Sequence, residues 1–330
     1  MQKNVSRNSI ELTLHPCSGP LVSVIIPCHN AEKWLAHCVQ SALQQTYSYA
    51  EIIIIDDGSS DRSVEIVKSF GSAVRWMTGP NKGPCAARNA GFQLSRGEWI
   101  QYLDADDLLH PQKLELSISV LDEFPDVDFI WAPHSTILES PAVPAAYSAF
   151  SQPNLPIQVS TSPLDAPYAP WAAMFRRTFL ESVGLWNEAL RRWVDLEYHA
   201  RIAAQTKEYV RIGFPLYFYR QHSGERISNS NRLFSNVDGG LMSLTLAQRA
   251  LENSKIPAEK WKEYLWPFYA HLARSAAESG DTVRFCNLLE QSSRLRNSAI
   301  YTAKCRAAMA ASAIIGSKRV ATALRRLLDH

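Results

Sequence analysis

The sequence predicts an α/β fold with a mainly parallel sheet, helices on both faces of the sheet and a helical C-terminal extension. Short apolar runs of strand length alternate with stretches whose apolar residues repeat at helical spacing. Each connection between successive runs is long enough for the crossover that parallel strands need. Polar clusters follow three of the runs, and open sheets of this kind bind ligands beyond the carboxyl ends of their strands.

The first third of the chain carries the strand and helix alternation. The β-branched run 21–26 has the composition of a buried strand, and Pro27 is expected to end it. The run 51–55 is a second such strand, and Ser60 or Asp61 is expected to cap the helix after it. The remaining predictions here are helices over 31–45, 64–70 and 85–94, a strand over 74–78, and a strand that ends at Asp104.

The rest of the chain is less regular. Residues 133–170 are rich in Pro, Ala and Ser and carry almost no charge, which predicts a loop packed over the ligand-binding crevice. From about residue 236 the spacing is helical, and no polar cluster there indicates a chemistry. The elements predicted are an amphipathic helix over 114–124, a strand over 127–131, helical or mixed structure over 171–183, a turn over 184–188, a helix over 195–204, strands over 209–212 and 216–220, and helices over 238–253, 258–279, 281–294 and 299–329.

Composition excludes several classes of protein. The 330 residues are 46% apolar with a net charge of +2, so the chain can bury a sizeable core and has no basic field for nucleic acid. The six cysteines lack CxxC spacing, which favours reduced thiols over a disulfide framework. No run approaches the roughly 18 apolar residues of a membrane helix, and the N-terminal residues lack the apolar core of a signal peptide. We therefore expect a cytoplasmic protein.

Three polar clusters follow predicted strands. They are His29-Asn30, Asp56-Asp57 and Asp104-Ala-Asp106. Because the carboxyl ends of parallel strands meet at one edge of the sheet, we expect these clusters to surround one crevice. Two carboxylates at spacing two suit a divalent cation that keeps positions open for phosphates and water.

Several of these residues also have a purely structural interpretation. Asp57 could bind a base or a ribose, or it could order the Asp-Gly-Ser turn together with Asp56. Asp107 could cap a helix that begins near residue 110, or it could support the neighbouring site residues without touching a ligand itself. Lys82 and Arg88 could each meet a phosphate or balance the neighbouring acids.

Four motifs occur in order between residues 21 and 107. They are Leu21-Val-Ser-Val-Ile-Ile-Pro-Cys-His-Asn30, Ile55-Asp-Asp-Gly-Ser-Ser-Asp61, Asn81-Lys-Gly-Pro-Cys-Ala-Ala-Arg-Asn-Ala-Gly91 and Gly97-Glu-Trp-Ile-Gln-Tyr-Leu-Asp-Ala-Asp-Asp107. Together they resemble the motifs of the family 2 glycosyltransferases, which have the glycosyltransferase-A fold. The resemblance implies inverting transfer of a sugar from a nucleotide-sugar donor to an acceptor hydroxyl, assisted by Mg²⁺ or Mn²⁺.

The resemblance also implies roles for individual residues. One set of residues is expected to contact the donor through side chains or backbone. That set is Pro27, Cys28, His29, Asp57, Asp104 and Ala105. Lys82 and Arg88 are added as donor-binding candidates because they flank the same crevice, and not because of the resemblance. Asp106 is expected to be a ligand of the metal. His222, in a segment similar to the one after the family's last core strand, is expected to touch the diphosphate or the metal.

A later segment, 183–201, resembles the part of the family that carries the general base. Asp195 matches that carboxylate, although Val194 stands where the family usually has Glu. An inverting displacement needs a carboxylate that takes the acceptor's proton as attack proceeds. Asp195 could also cap the following helix, and Glu188 and Glu197 are the alternative candidates for the base.

Polar composition predicts a flexible leader over 1–20, the resemblance predicts a catalytic domain over 21–235, and helical spacing predicts a helical extension over 236–330. The expected donor is a UDP-, GDP- or dTDP-sugar, and the expected acceptor is a glycan or a lipid-linked oligosaccharide in surface polysaccharide synthesis. The processive signature is absent, so one sugar is added per encounter. The alternatives are a non-catalytic nucleotide- or glycan-binding protein and a nucleotidyltransferase. The latter should carry a Gly-rich phosphate loop where this chain has Pro27 to Asn30.

The C-terminal stretch 303–328 is apolar with interspersed Lys and Arg. This pattern fits a helix lying on an anionic membrane surface, which would give peripheral membrane contact. It also fits a packed pair of terminal helices with a solvated basic face.

Overall fold

The structure is a computed structural model. It describes residues 8–11, 19–139, 154–160, 164, 170–222 and 237–321. The chain divides into two compact units. The first comprises Met1–Glu188 and Gln205–Ser223, and the second comprises Ala189–Ala204 and Gly224–His330.

The described residues of the first unit form two sheets. Their strands are β1 (Asn8–Glu11), β2 (Val22–Cys28), β3 (Ala50–Asp56), β4 (Arg75–Thr78), β5 (Trp99–Tyr102), β6 (Leu108–Leu109), β7 (Phe129–Trp131), β8 (His134–Leu138), β9 (Asn154–Ser160), β10 (Ala173–Arg176), β11 (Tyr209–Ile212) and β12 (Tyr217–Gln221). The larger sheet has nine strands in the order β1-β9-β11-β7-β10-β5-β2-β3-β4. Only β9 and β10 run opposite to its other strands, so the mainly parallel sheet is confirmed. The smaller sheet has the order β6-β12-β8.

Helices cover the larger sheet because its central strands are apolar on both faces. Along β3, Ile52 and Ile54 pack into the main hydrophobic cluster, whereas Ile53 and Ile55 pack with Ala87 of a helix. A continuous apolar run is the pattern expected of a strand buried on both sides. The helices of this unit are α1 (Leu35–Leu43), α2 (Ser63–Ser69), α3 (Pro84–Leu94), α4 (Lys113–Ser119) and α5 (Arg177–Val183), with 3₁₀ turns at Gly71–Ala73, Val120–Asp122 and Pro170–Ala172.

Gly97 precedes β5 at a close approach to the start of β2. A Cβ at this position would lie 2.6 Å from the Ser23 backbone nitrogen and 2.8 Å from the Leu21 carbonyl oxygen. Neither backbone atom can rotate away, so we expect Gly97→Ala to lower the free energy of unfolding by about 1–3 kcal/mol. Denaturant titration checks this value. Gly79→Ala is the matched control, because a Cβ there meets nothing within 4 Å; equal losses for both variants would contradict the packing account.

The predicted end of the first strand at Pro27 is wrong. Strand β2 continues through Pro27, which is in register with Ile55 of β3, and ends at Cys28. Its ladder with β5 stops at Ile25. Beyond that residue β2 has a paired neighbour on one side only, and a proline is tolerated at such a position because no ladder hydrogen bond is lost.

Two predictions in the next part of the chain are also wrong. The segment predicted as a loop contains β8 and β9, which gain their partners from β12, β1 and β11. Residues 140–153, 161–163 and 165–169 of that prediction, and 1–7 and 12–18 of the predicted leader, lie outside the described residues. The predicted amphipathic helix 114–124 is shorter than expected. All of its residues from Lys113 to Ser119 are buried, so it has no solvent face.

The second unit is helical. Its helices are α6 (Val194–Gln205), α7 (Val237–Glu252), α8 (Ala258–Ser279), α9 (Thr282–Leu295) and α10 (Ala299–Ile315). The Asp281 and Ser298 side chains cap α9 and α10 by accepting from the first-turn amides of Arg284 and Tyr301. Gly316, with φ of +82°, ends α10 and interrupts the helix predicted over 299–329. Among the described residues, no helix has both the length and the apolar character needed to cross a membrane.

Candidate functional site

The ends of β2 and β3 bring the first two polar clusters together. Cys28 and Asp56 are partners in the parallel ladder, and the Asp57 amide donates to the Cys28 carbonyl at 2.8 Å. The His29 ring lies against the same turn, with Nδ1 2.9 Å from the Asp57 carbonyl oxygen and Nε2 3.2 Å from the Asn81 side-chain nitrogen. The first of these distances fits Nδ1–H donating to the carbonyl. The adjacency expected of these clusters is therefore present.

Asp57 anchors the loop that leads into α3. Its two carboxylate oxygens accept from the backbone amides of Lys82 at 2.7 Å and Gly83 at 2.8 Å. The Asp57 carboxylate is buried, whereas the Lys82 side chain is exposed. A carboxylate has about four lone-pair sites, so each oxygen can still accept a second hydrogen bond from a ligand.

Asp56 orders the turn. Its Oδ2 accepts from the Ser59 amide and from the Thr78 hydroxyl, the latter at 2.6 Å. The Cys28 thiol is buried next to this turn. Burial is the largest cause that raises its pKa to about 12, so it stays protonated. Cys28 thus contributes shape and backbone to the site rather than a nucleophile, and Pro27 beside it is half-buried.

Arg88, on α3, pairs with the first carboxylate of the third cluster. Its Nη2 donates to Asp104 Oδ1 at 2.8 Å, and its guanidinium lies 4.8 Å from the centre of the Trp186 ring. Two interpretations of Arg88 were open, and the structure shows the one in which Arg88 balances the charge of a neighbouring acid. The adjacent Asn89 donates to the Trp186 carbonyl and to Glu188 Oε1, at 2.9 and 2.8 Å. Helix α3 thus positions both Asp104 and the turn that carries Glu188.

Asp106 pairs with His222. Its Oδ2 lies 3.1 Å from His222 Nε2, and the Asp106 side chain is about one-third exposed. Ala105, between the two outer carboxylates, is buried. The histidine ring packs 5.4 Å from the Trp34 ring just before α1. The structure thus brings together the two side chains expected at the metal.

Arg220 lies beneath this pair and is fully buried. Its Nε donates to the Asp106 carbonyl at 2.7 Å, and its guanidinium stacks 4.4 Å from the centre of the Trp34 ring. The buried guanidinium thus lies next to the backbone of the segment that carries the three carboxylates. Arg220 therefore fixes the backbone of Asp106 while His222 meets its side chain.

The predicted capping role of Asp107 is wrong. Strand β6 follows it directly, and α4 begins only at Lys113. The buried Asp107 carboxylate instead accepts from the Tyr217 hydroxyl at 2.9 Å and from the Arg220 amide at 2.8 Å. Burial, with Asp106 and Asp104 as the next causes, raises the pKa of Asp107 well above its usual value.

Asp107→Asn is expected to disturb the fold far less than Asp107→Ala. An Asn oxygen can still accept from the Arg220 amide, whereas Ala leaves two buried donors unsatisfied at about 1–3 kcal/mol each. Because the folded state raises this pKa, ionisation of Asp107 costs wild-type stability as the pH rises above about 4. The stability difference between wild type and Asp107→Asn should therefore shift in favour of Asn between about pH 4 and pH 8. Thermal melts across that range test this, and a shift in favour of wild type would contradict it.

The second unit holds Asp195 in the first turn of α6. Trp193, two residues before it, has a φ of +51°, which is rare for a bulky residue and marks a constrained backbone. Glu197 forms two hydrogen bonds with Arg201, at 2.7 and 3.0 Å. The general-base role of Asp195 stays a prediction.

The side chains of Asp106 and His222 fit a partial metal site. Among the described residues, no group of three or more His, Cys, Asp or Glu side chains could hold an ion by itself. Mg²⁺ and Mn²⁺ sites for nucleotides commonly use one or two protein ligands and complete the shell with phosphates and water. A carboxylate with an imidazole suits Mn²⁺, whereas Mg²⁺ prefers oxygen ligands alone.

Sequence reasoning missed three residues that hold the site together. They are Trp34, Tyr217 and Arg220. Tyr217 donates to Asp107 and accepts from the Asp104 amide, at 2.9 and 3.2 Å. The alternating aromatic pattern of β12 is a signal of a buried strand, but the partner of each side chain depends on the pairing of β12 with β6, which the sequence does not show.

The chain is similar to known glycosyltransferases. A sequence model described as "Glycosyl transferase family 2" matches residues 23–184. An uncharacterized glycosyltransferase of Haemophilus influenzae is 40% identical over 106 residues, which are 31% of this chain and 42% of that protein. The chain therefore spans less than half the length of this curated relative.

Two solved structures share the fold. The S. aureus TarS fragment 1-349 in complex with UDP-GlcNAc has a TM-score of 0.66 at 18% identity, covering 93% of this chain and 90% of that one. The mannosyltransferase PcManGT from Pyrobaculum calidifontis, in complex with GDP-Man and Mn²⁺, has a TM-score of 0.52 at 16% identity, covering 97% and 88%. At these identities the likeness shows the glycosyltransferase-A fold.

Proposed function

We propose that this chain transfers one sugar from a nucleotide-diphosphate sugar to an acceptor hydroxyl, with inversion at the anomeric carbon, because a sequence model of glycosyl transferase family 2 matches residues 23–184. One observation carries the proposal. Two carboxylates on one short segment after β5 each have a basic partner, Arg88 for Asp104 and His222 for Asp106. Such a segment offers a hydrogen-bond acceptor for the donor and a metal ligand two residues apart.

The nucleoside would lie against the ends of β2 and β3. There the exposed His29 ring and the Asp57 carboxylate present polar atoms, and Pro27 and Cys28 present backbone. TarS is solved with UDP-GlcNAc and PcManGT with GDP-Man, which keeps uridine and guanosine donors first among the candidates, with dTDP-sugars third. The exposed Lys82 ammonium is available to a phosphate.

Asp106 and His222 would hold Mn²⁺ or Mg²⁺ through Oδ2 and Nε2. When bound, the ion supplies charge stabilisation to the leaving nucleoside diphosphate. The chain's own contribution is to fix this pair. Arg220 holds the Asp106 carbonyl, and the Trp34 ring packs against both Arg220 and His222. Preorganised ligands need no rearrangement at the moment of reaction.

Asp195 would act as the general base that takes the acceptor's proton. The acceptor would be a glycan or a lipid-linked oligosaccharide of surface polysaccharide synthesis, and one sugar would be added per encounter. Residues 21–235 would form the catalytic domain, with 236–330 as its extension.

A thermal-shift screen with Mn²⁺ across UDP-, GDP- and dTDP-sugars identifies the donor. The product's anomeric configuration, read by proton NMR with the donor so found, then tests inversion. A product that retains the donor's configuration would contradict the inverting mechanism, while leaving sugar transfer itself intact.

A further inference from the structure

Helix α10 has a buried face and an exposed face of unusual composition. Tyr301, Cys305 and Ala308 are buried against the rest of the second unit. The opposite face is almost entirely apolar, with Ile300 73% and Ile314 83% exposed. The exposed positions from Ile300 onward are Ile300, Ala303, Arg306, Ala307, Ala310, Ala313 and Ile314.

This spacing forms one stripe along the helix. Residues 300, 303, 307, 310 and 314 follow the i, i+3, i+7 pattern of a single helical face. Single exposed apolar residues are ordinary on protein surfaces. A contiguous row of them marks an interaction surface. A solvated basic face, the alternative for this segment, would place charges rather than Ile and Ala at these positions.

The segment of the chain that carries the stripe has charge of one sign. Residues 291–321 contain Lys and Arg but no Asp or Glu. The basic residues of this range are Arg294, Arg296, Lys304, Arg306, Lys318 and Arg319. Arg296 stacks on the rings of Trp266 and Tyr301, so it faces the interior of the unit. The exposed Arg306 lies on α10, and the exposed Arg294, Lys318 and Arg319 lie before and after the helix.

A cavity of about 600 Å³ opens where α9 meets α10. Its lining includes Arg294, Arg306 and the hydroxyl-bearing residues Ser298 and Thr302. Arg294 pairs on the surface with Glu290 at 2.7 Å, while Arg306 has no ion-pair partner among the residues that the structure describes. Two guanidinium groups and hydroxyls around one cavity match the chemistry of a phosphate group.

We propose that α10 lies flat on a bilayer that contains anionic phospholipids. The apolar stripe enters the acyl boundary, and lipid phosphates meet Arg294 and Arg306 at the cavity. Both parts are needed, because the apolar contact with Ala and two Ile is small and the attraction of a few cations alone is weak in salt. The basic charge of the segment that carries the stripe favours this occupant over a second protein with mixed charge. The proposal is independent of sugar transfer.

Vesicle co-sedimentation of the full chain tests this surface. We expect binding to vesicles of phosphatidylcholine mixed with phosphatidylglycerol, and little binding to phosphatidylcholine alone. The pair Arg294→Gln with Arg306→Gln should weaken binding about tenfold or more, at about 1 kcal/mol for each basic residue near the surface. The pair Ala307→Glu with Ala310→Glu should weaken binding by a similar factor through the apolar stripe, while Glu keeps the helix propensity high.

The control is Lys255→Gln with Lys260→Gln, two exposed residues outside this surface that remove the same charge. It should bind like wild type, and all variants should keep the wild-type circular dichroism spectrum. Equal binding to both vesicle types, absence of binding to either, or full binding by the Ala307→Glu, Ala310→Glu variant would each overturn the proposal.

Discussion

Asp195→Asn is expected to lower kcat by about 10²–10⁴-fold, because it removes the carboxylate that would take the acceptor's proton during attack. The affinity for the donor should stay unchanged, since donor binding is proposed to rest on residues of the first unit. Transfer rates and calorimetric donor titrations measure the two quantities separately. The acid limb of the pH profile of kcat should also disappear, because that limb reports deprotonation of the base.

Asp238→Asn is the matched control for this variant. Asp238 is an exposed carboxylate in the first turn of α7, in the same unit, and it pairs only at the surface with Arg284. It should leave kcat unchanged. Near-normal transfer by Asp195→Asn would contradict the base assignment and make Glu188→Gln the next variant. Glu197→Gln is a poorer choice, because it also disrupts the two hydrogen bonds to Arg201.

Asp106→Asn is expected to lower kcat/KM by about 10²–10³-fold, because a lost metal ligand removes several kcal/mol of stabilisation from the leaving diphosphate. Donor affinity measured with and without Mn²⁺ should become the same in this variant. The Asn side chain is isosteric, so the fold should keep its stability. A donor affinity that still rises with Mn²⁺ would contradict the ligand assignment.

Asp107→Asn is the matched control for Asp106→Asn. It makes the same chemical change one residue away, at a carboxylate that is buried and meets Tyr217 and Arg220. We expect it to retain kcat/KM within about tenfold and to keep its response to Mn²⁺, because neither proposed ligand atom is altered. Equal loss in both variants would show that the segment acts as one structural unit.

The strands and helices before residue 107 could be predicted because their signals are local. Continuous apolar runs gave β2 and β3, and helical spacing gave α1 and α3, each within a few residues of the observed bounds. The prediction that the polar clusters lie at one edge of the sheet followed from the parallel order of the strands alone. For this part of the chain, local patterning was sufficient.

Other features depend on contacts distant in sequence. Strand β9 is a strand because β1 and β11 pair with it, while its own residues include Pro156. Asp107 looks like a helix cap until β6 is seen to pair with β12 and to bring Tyr217 to the carboxylate. Arg220 lies in a segment whose resemblance to the family directed attention to His222, and its own place beneath Asp106 is visible only in the folded chain.

The central claim is that this protein consumes a nucleotide-sugar donor at the segment that carries Asp104 and Asp106. Release of nucleoside diphosphate from UDP-, GDP- and dTDP-sugars, with Mn²⁺ and a glycan acceptor mixture, tests it most directly. We predict that one donor is consumed, that consumption depends on the metal, and that Asp106→Asn abolishes it. Tight donor binding without any release would indicate a binding protein. Pyrophosphate formed from a sugar phosphate and a nucleoside triphosphate would indicate a nucleotidyltransferase, and either result would contradict the claim.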